Sequence, residues 1–462
     1  MSLQLHYTGQ DYNNRGLLQG ANLVPGSTSS ISNSCKTGNG FVFDGTVNSH
    51  LSVLMPSEPI AHSFSCWFRI TDIAKTRFIA SFGQQHFLQF MLWQRTNGEF
   101  VFGYTGVDGV QVNVVLISNL PRDVWYHFTA AIDGRIMRLY LNGVLLQTHT
   151  ASQDVRKGSD KTIRLGQGTT SDYLLGQVCN FKYYDHALSM KEIREDYKSL
   201  VLHYPLNNEI TDKVHDCSGF KNDGVVIKNE LSLSSNTNKY RHSSEFNDVR
   251  IQIPAILGNI IRRDYSFSIA HYIYFNSYTL SESFAMQPQS GRMIFRANGQ
   301  LQYYLGVTSG NEFVSTNIGA IEQDNWYHVC VTYDGDRTWS LYVNGVLAQS
   351  REITGTMTDT YSNRMLIGGE STTARPIFAD MNDFRIYATE LTAADVVELY
   401  NTRHELDKNG NFYCGEVVEI ESGNVDMKRN SILNTIEVNE VDFDTSSEIL
   451  TDEIRINNIK EI

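Results

Sequence analysis

The sequence predicts an all-β protein: two tandem jelly-roll β-sandwiches, each closing with a short helix, followed by a C-terminal strand-rich extension. Three observations carry this. The decapeptide "LYLNGVLLQT" at 139–148 returns as "LYVNGVLAQS" at 341–350, with seven of ten residues identical. Around it run short apolar bursts separated by Gly, Asn, Asp and Ser, which is the punctuation of strands. The 462 residues include 24 Tyr, 23 Phe and 34 Gly; aromatics favour strands and Gly favours turns.

The repeat extends well beyond the decapeptide. "WYHFTAAIDG" (125–134) matches "WYHVCVTYDG" (326–335), and "RTNGEFVFGY" (95–104) matches "RANGQLQYYL" (296–305). "SFS" at 63–65 pairs with "SFS" at 266–268, and "LHY" at 5–7 with "LHY" at 202–204. Downstream, "FKYYDHALSMKEIREDY" (181–197) matches "FRIYATELTAADVVELY" (384–400). A constant order and an offset near two hundred mean duplication of a whole domain, not a short-period solenoid. The expected domains are 1–200, 201–402 and a tail, 403–462.

Each piece has a local cause. Asn142-Gly143 and Asn344-Gly345 sit between apolar flanks, and Asn-Gly suits the two-residue type I′ turn because both positions need φ > 0. Each decapeptide is therefore a β-hairpin whose turn sets register. The Asp-Gly pairs at 133–134 and 334–335 turn the "WYH" strand into it. At the end of each repeat, Ser189 with Glu192 and Thr392 with Asp395 form capping boxes, and Leu188/Ile193 and Leu391/Val396 form hydrophobic staples.

The bulk numbers exclude several classes. The net charge is −13, which disfavours nucleic acid, whose binding rests on basic surface. The tail holds fourteen Asp/Glu against six Lys/Arg, eight of those thirteen excess charges. No apolar run reaches a membrane span, so no membrane insertion is expected. The start, "MSLQLHYTGQDYNN", lacks a basic region and an apolar core, so it does not read as a signal peptide. The six cysteines, at 35, 66, 179, 217, 330 and 414, show neither CxxC spacing nor a dense framework, and read as buried or free thiols.

With these motifs in view, the chain resembles the laminin-G-like branch of the concanavalin-A-like lectin/glucanase superfamily. Trp-Tyr-His, an Asp-Gly turn, "LYxNGVL", "FRIY" and a short helix carry the resemblance in both halves. It implies lectin-like sandwiches with a Trp in the strand after "SFS": Trp67 in copy one, but Ala270 and His271 in copy two. It also implies a calcium site at an acidic pair before that "FRIY": Asn382 and Asp383 in copy two, with Cys179 and Asn180 in copy one unable to serve. Calcium wants several oxygen ligands. The superfamily's glucanases carry Glu-x-Asp-x-x-Glu on one strand, and no such run occurs here. A retaining glycosidase needs two close carboxylates, so no catalytic residue and no enzyme is expected. His6/His203 and His127/His328 recur in both copies and read as scaffold.

Sugar binding calls for aromatic platforms with polar side chains around them. The candidates are Trp93, Tyr104 and Tyr173 in copy one, and Arg296, Tyr303, Tyr304 and Arg375 in copy two. Alternation places Phe100 and Phe102 in the core, and puts Tyr303 and Tyr304 on opposite faces of their strand. The tail alternates apolar and polar residues in "VVEIE", "TIEVNEVDF" and "EIRINNIKEI". Such short strands suit pairing with another chain or copy, and resemble the β-rich ends of phage tail and fibre proteins. The expected protein is thus a non-enzymatic virion component, made in a bacterial cytoplasm and oligomeric. Its sandwiches would bind host-surface glycan, and its tail would join other virion proteins or itself. The alternatives are a purely structural tail, baseplate or decoration protein, and an extracellular bacterial lectin or adhesin.

Overall fold

The structure is a computed structural model. It describes residues 3–401, except 58, 84–88, 169–171, 208, 235–242, 255–256, 258–259, 262–264, 277–281, 288–290, 297, 308–309, 355–364 and 370–374. The tail expectation lies outside the described residues. The chain divides into two compact units, Met1–Tyr197 and a second beginning at Lys198. All strand pairing between named strands is antiparallel, and each unit is a two-sheet sandwich closed by one nine-residue helix.

In the first domain one sheet runs Val144–Thr150, Ile136–Leu141, Tyr126–Asp133, Ala61–Ile70, Leu175–Tyr184, Gly38–Asp44, Ser30–Cys35. Leu3–Tyr7 adds to Leu175–Tyr184. The other runs Gln111–Ile117, Phe100–Thr105, Phe90–Gln94, Arg77–Phe82, Thr162–Leu165, Leu51–Leu54, Val24–Pro25. The second domain repeats the plan. Ser232–Leu233, Ser244–Asn247, Phe378–Tyr387, Phe267–Phe275, Trp326–Tyr333, Thr338–Val343 and Val346–Glu352 form one sheet, with Leu200–Tyr204 on Phe378–Tyr387. Opposite lie Lys213–Val214, Gly224–Lys228, Arg250–Ile253, Met365–Ile367, Glu282–Gln287, Gly291–Arg296, Gln300–Val307 and Gly310–Ser315.

The Asn-Gly turns form as expected, with φ of 50° and 74° at Asn142-Gly143 and 51° and 78° at Asn344-Gly345. The Asn side chain has a second task. Asn142 Oδ1 accepts the His127 N–H at 2.9 Å, and Asn344 Oδ1 accepts the His328 N–H at 2.9 Å. The Gly serves twice as well, because a Cβ at 143 would lie 3.0 Å from the Tyr197 ring. One turn therefore fixes the hairpin, the "WYH" strand and the closing helix. The helices are capped as read: Glu192 Oε2 accepts the Ser189 N–H at 2.7 Å, and Asp395 Oδ2 the Thr392 N–H at 2.9 Å.

The cores differ in how they are filled. In the first, Phe64 stacks on Phe90 at 3.9 Å, with Phe102 and Phe128 alongside. In the second, Trp339 stacks on Tyr333 at 4.8 Å and Tyr303 at 5.2 Å, and meets Phe267 edge-on. Trp339 occupies the place of Met137, as the pairings Tyr333↔Trp339 and Ile132↔Met137 align the strands.

The register corrects one alignment. Ser63 Oγ donates to the His186 carbonyl and accepts the Leu188 N–H; Ser268, not Ser266, does the same with Thr389 and Leu391. "SFSCWF" therefore superposes on "SIAHYI", and the counterpart of Trp67 is Tyr272, not Ala270 or His271. Trp67 packs on His127 at 5.2 Å and Tyr197 at 5.7 Å, while Tyr272 packs on His328 at 4.8 Å and donates to the Tyr400 carbonyl. His127 and His328 thus pack beneath the closing helices, against Tyr197 and Tyr400. The cysteine expectation also needs amending. Cys35, Cys66, Cys179 and Cys330 are buried free thiols, but Cys217 is disulfide-bonded.

Candidate functional site

The outward face of the first domain's smaller sheet carries an aromatic pair outside the core. In Phe100–Thr105, Phe100, Phe102 and Tyr104 point inward, which leaves Val101 and Gly103 facing out. Trp93, paired across from Val101, lies over Gly103; a Cβ there would come within 2.7 Å of the indole. Phe78 stacks on Trp93 at 5.6 Å with planes 16° apart. Gly168 passes over Phe78 so closely that a Cβ would lie 2.6 Å from its ring.

Beside this pair opens a cleft of about 420 Å³. Phe78 and Trp93 give it an apolar wall, while Thr76, Thr96, Asn97, Gln111, Asn113 and Asp172 supply hydroxyl, amide and carboxylate groups. Arg95 completes the lining, its guanidinium 6.0 Å from the Trp93 ring centre and 2.7 Å from Glu99. The arginine also depresses the Glu99 carboxyl below its ordinary range. Arg95 and Asp172 aside, the rim is uncharged, so it offers many hydrogen bonds and little net field.

Of the residues expected to bind, the structure places Trp93 on this wall, and Tyr173 next to Asp172, buried, with its carbonyl accepting from Arg77 Nη1 at 3.1 Å. Tyr104 is removed from the set. Its ring is 2% exposed within the core, and its hydroxyl meets His149 Nε2 at 3.0 Å. Tyr303 is removed likewise, at 1% exposure against Trp339. Tyr304 faces outward, as the alternation requires. Arg296 Nη2 donates to its hydroxyl at 2.6 Å, Arg296 Nε donates to Gln302 Oε1, and Phe313 lies 5.1 Å away. Arg375 is exposed with φ of 47°, just before Phe378–Tyr387.

Comparing the two faces gives a size exchange. Ile294 stands where Trp93 does, and Tyr304 where Gly103 does, so the bulk moves from one strand to its neighbour. Sequence reading missed Phe78, Asn97, Gln111, Asn113 and Asp172. The available signal was the lone Gly103 in "VFGY", together with polar residues at alternate positions of the edge strand "QVNVV".

Asp383, expected at a calcium site, has its carboxylate engaged by neighbouring side chains. Its Oδ1 accepts from His203 Nε2 at 2.8 Å and from Arg385 Nε at 2.8 Å, all three side chains being buried. Its φ is 53°, it sits where the pairing with Phe267–Phe275 shifts register, and its N–H donates to the Pro205 carbonyl. A guanidinium and an imidazole thus hold the carboxylate that calcium would need, and Asn382 is buried beside it. Asn180 repeats this bulge at φ 49°, with Oδ1 2.8 Å from His6 Nε2. Among the described residues no three His, Cys, Asp or Glu side chains converge as a metal site.

The fold and both bulged sheets define a lectin-type sandwich, present twice. The sequence profile of the concanavalin A-like lectin/glucanases superfamily matches residues 44–194 and 247–397. The chain belongs to that superfamily. No curated protein sequence matches it. Among solved structures it is similar to domain 4 of an extracellular arabinanase from Geobacillus stearothermophilus in complex with arabinotriose (15% identity, 42% of this chain, 98% of that one, TM-score 0.37). It is also similar to the botulinum neurotoxin serotype G binding domain (12%, 83% and 92%, 0.38). A third is the CBM40 domain of the Ruminococcus gnavus IT-sialidase bound to α2,3 sialyllactose (14%, 30% and 83%, 0.27).

Proposed function

We propose that this chain is a non-enzymatic adhesion protein of a virion, and that its first domain holds an uncharged sugar unit of a host-surface glycan in the Trp93–Asn113 cleft. The cleft carries this reading: an apolar wall of ring edges faced by amides and hydroxyls suits a ligand with C–H faces and many hydroxyl groups. Glu99 already occupies the Arg95 guanidinium, and Asp172 adds a negative charge, so the cleft offers no spare cation for a uronate or sialate. The virion setting rests on adhesion-type modules joined to an acidic segment whose sequence alternates apolar and polar residues.

The second reading is a purely structural protein that contacts other virion proteins without binding sugar. One observation favours it: Trp93 is only 4% exposed, so its ring faces are already in contact. A glycan array with the full chain separates the two. Binding to neutral polysaccharides, weakened about threefold to tenfold by Gln111→Ala or Asn113→Ala at a hydrogen bond each, supports the lectin reading. Glu99→Gln should admit acidic sugars by freeing Arg95. Failure to bind any host polysaccharide would sink the lectin reading. Immunogold labelling of purified particles tests the setting.

A further inference from the structure

Outside the core of the first sandwich, Cys35 and Cys179 pack with Trp67 in a separate buried cluster. Cys35 ends the edge strand Ser30–Cys35 and Cys179 lies on Leu175–Tyr184, so Gly38–Asp44 runs between them. They meet because that strand offers a glycine where they cross it. A Cβ at Gly40 would lie 2.4 Å from Cys35 Sγ, 2.7 Å from Cys35 Cβ and 2.8 Å from Cys179 Cβ. The two β-carbons are therefore at most about 5.5 Å apart, where a disulfide spans roughly 3.5–4.5 Å. The Cys35 thiol already donates to the Cys179 sulfur, as do the backbone amides of Lys36 and Thr37. Burial works against a Cys179 thiolate, but these donors outweigh it and hold the thiol below its ordinary range. The bond to Cys179, and burial with it, push the Cys35 thiol up. Lys36 Nζ stands 5.4 Å from the Trp67 ring centre, and burial lowers its ammonium to about 7.

We propose that Cys179 and Cys35 form a peroxide-reactive dithiol, with Cys179 the attacking sulfur and Cys35 the resolving one, whose disulfide clamps the edge hairpin to the middle of the sheet. The Cys179 thiolate attacks one oxygen of hydrogen peroxide, and the O–O bond breaks. Cys179 becomes a sulfenic acid, and the departing hydroxide takes the Cys35 proton and leaves as water. The Cys35 thiolate then attacks the Cys179 sulfur; the S–S bond forms, the S–O bond breaks, and a second hydroxide leaves. The proton that Cys179 shed at the start turns it into water. Two thiols are oxidised to one disulfide, and one peroxide is reduced to two waters. Hydrogen peroxide is little larger than water, and an edge hairpin opens locally more readily than a core. The second domain has no such pair at this place, because Asn382, paired with Tyr272, stands where Cys179, paired with Trp67, does. The inference does not depend on what the cleft binds.

Peptide mass mapping of the full chain tests it. The chain is reduced with dithiothreitol, freed of it, treated with hydrogen peroxide and alkylated under denaturing conditions. A peptide pair joined through Cys35 and Cys179, two hydrogens lighter than its reduced parts and restored by dithiothreitol, is expected, with Cys66 and Cys330 fully alkylated. The first-domain melting temperature should rise by about 5 °C or more on closure. In Cys35→Ser, Cys179 should stop at the sulfenic acid and be trapped by dimedone. Full alkylation of Cys35 and Cys179 at a dose that has already oxidised Met190, which is 48% exposed, would overturn the dithiol. A dimedone adduct on Cys35 in Cys179→Ser, with none on Cys179 in Cys35→Ser, would overturn the assignment of the attacking sulfur.

Discussion

The two domains solve one packing problem with different chemistry. Beneath the first closing helix, Lys182 donates to Asp196 at 2.6 Å, and His127 lies 3.6 Å from the same carboxylate, so a buried charge pair reaches from sheet to helix. In the second, Arg385 bonds Asp383 within its own strand, and the helix places Leu399 where Asp196 would be. The retained His127 and His328 thus pack against Tyr197 and Tyr400 in both copies, while the charged groups around them are exchanged. Duplicated domains therefore drift by compensated exchanges, as Trp93/Gly103 against Ile294/Tyr304 also illustrates.

Breaking one domain while the other serves as internal reference sharpens this comparison. The largest effect is expected from Trp339→Ala, which deletes the aromatic hub of the second core. It should cost about 3–5 kcal/mol, read by calorimetry as a lowered second-domain transition beside an unmoved first. Lys182→Met should act on the other side only. It strands the Asp196 carboxylate, held low by Lys182 and His127 despite its burial, and should cost about 3–5 kcal/mol in the first domain.

Acid should separate the transitions without mutation. Burial holds His6 down to about 3, and His62 and His127 to about 4, all in the first domain. Below pH 6.5 the unfolded chain takes up protons that the folded imidazoles refuse, so stability falls as pH drops from 6.5 towards 4. The second domain has His271 at about 4 and a depressed His203, but Asp216, raised by burial, works in the opposite sense. The first-domain transition should therefore fall faster between pH 7 and 4.5; parallel slopes would contradict the assignment. The smallest effect belongs to the caps: Ser189→Ala and Thr392→Ala should each cost about 1 kcal/mol, each confined to its own domain.

The sandwiches were legible because their signals are local. Asn-Gly fixes two dihedral angles, and a capping box needs only four residues, so both appear in a short window of sequence. The bulges at Asn180 and Asp383 were not legible, since their partners His6 and His203 lie more than 170 residues away. The resemblance pointed to calcium at Asp383, and the sequence does not reveal that Arg385, two residues on, would take its oxygen. The same limit applies to the cleft, whose rim joins four separate stretches of chain. Tyr104 was offered as a sugar platform although it alternates with Phe100 and Phe102, and its hydroxyl is met by His149.

The Asn-Gly hairpins also give the molecule a chemical clock. In this dipeptide the side-chain amide is readily attacked by the following backbone nitrogen, and Asn is among the thermolabile residues. While the hairpin is closed, Asn142 Oδ1 is tied to the His127 amide and the turn is fixed. Each transient opening releases that restraint. Reclosure as isoaspartate would add a backbone atom to a two-residue turn and slip the strand that holds the helix. How often the hairpin frays thus sets how long each domain keeps its closing helix in place.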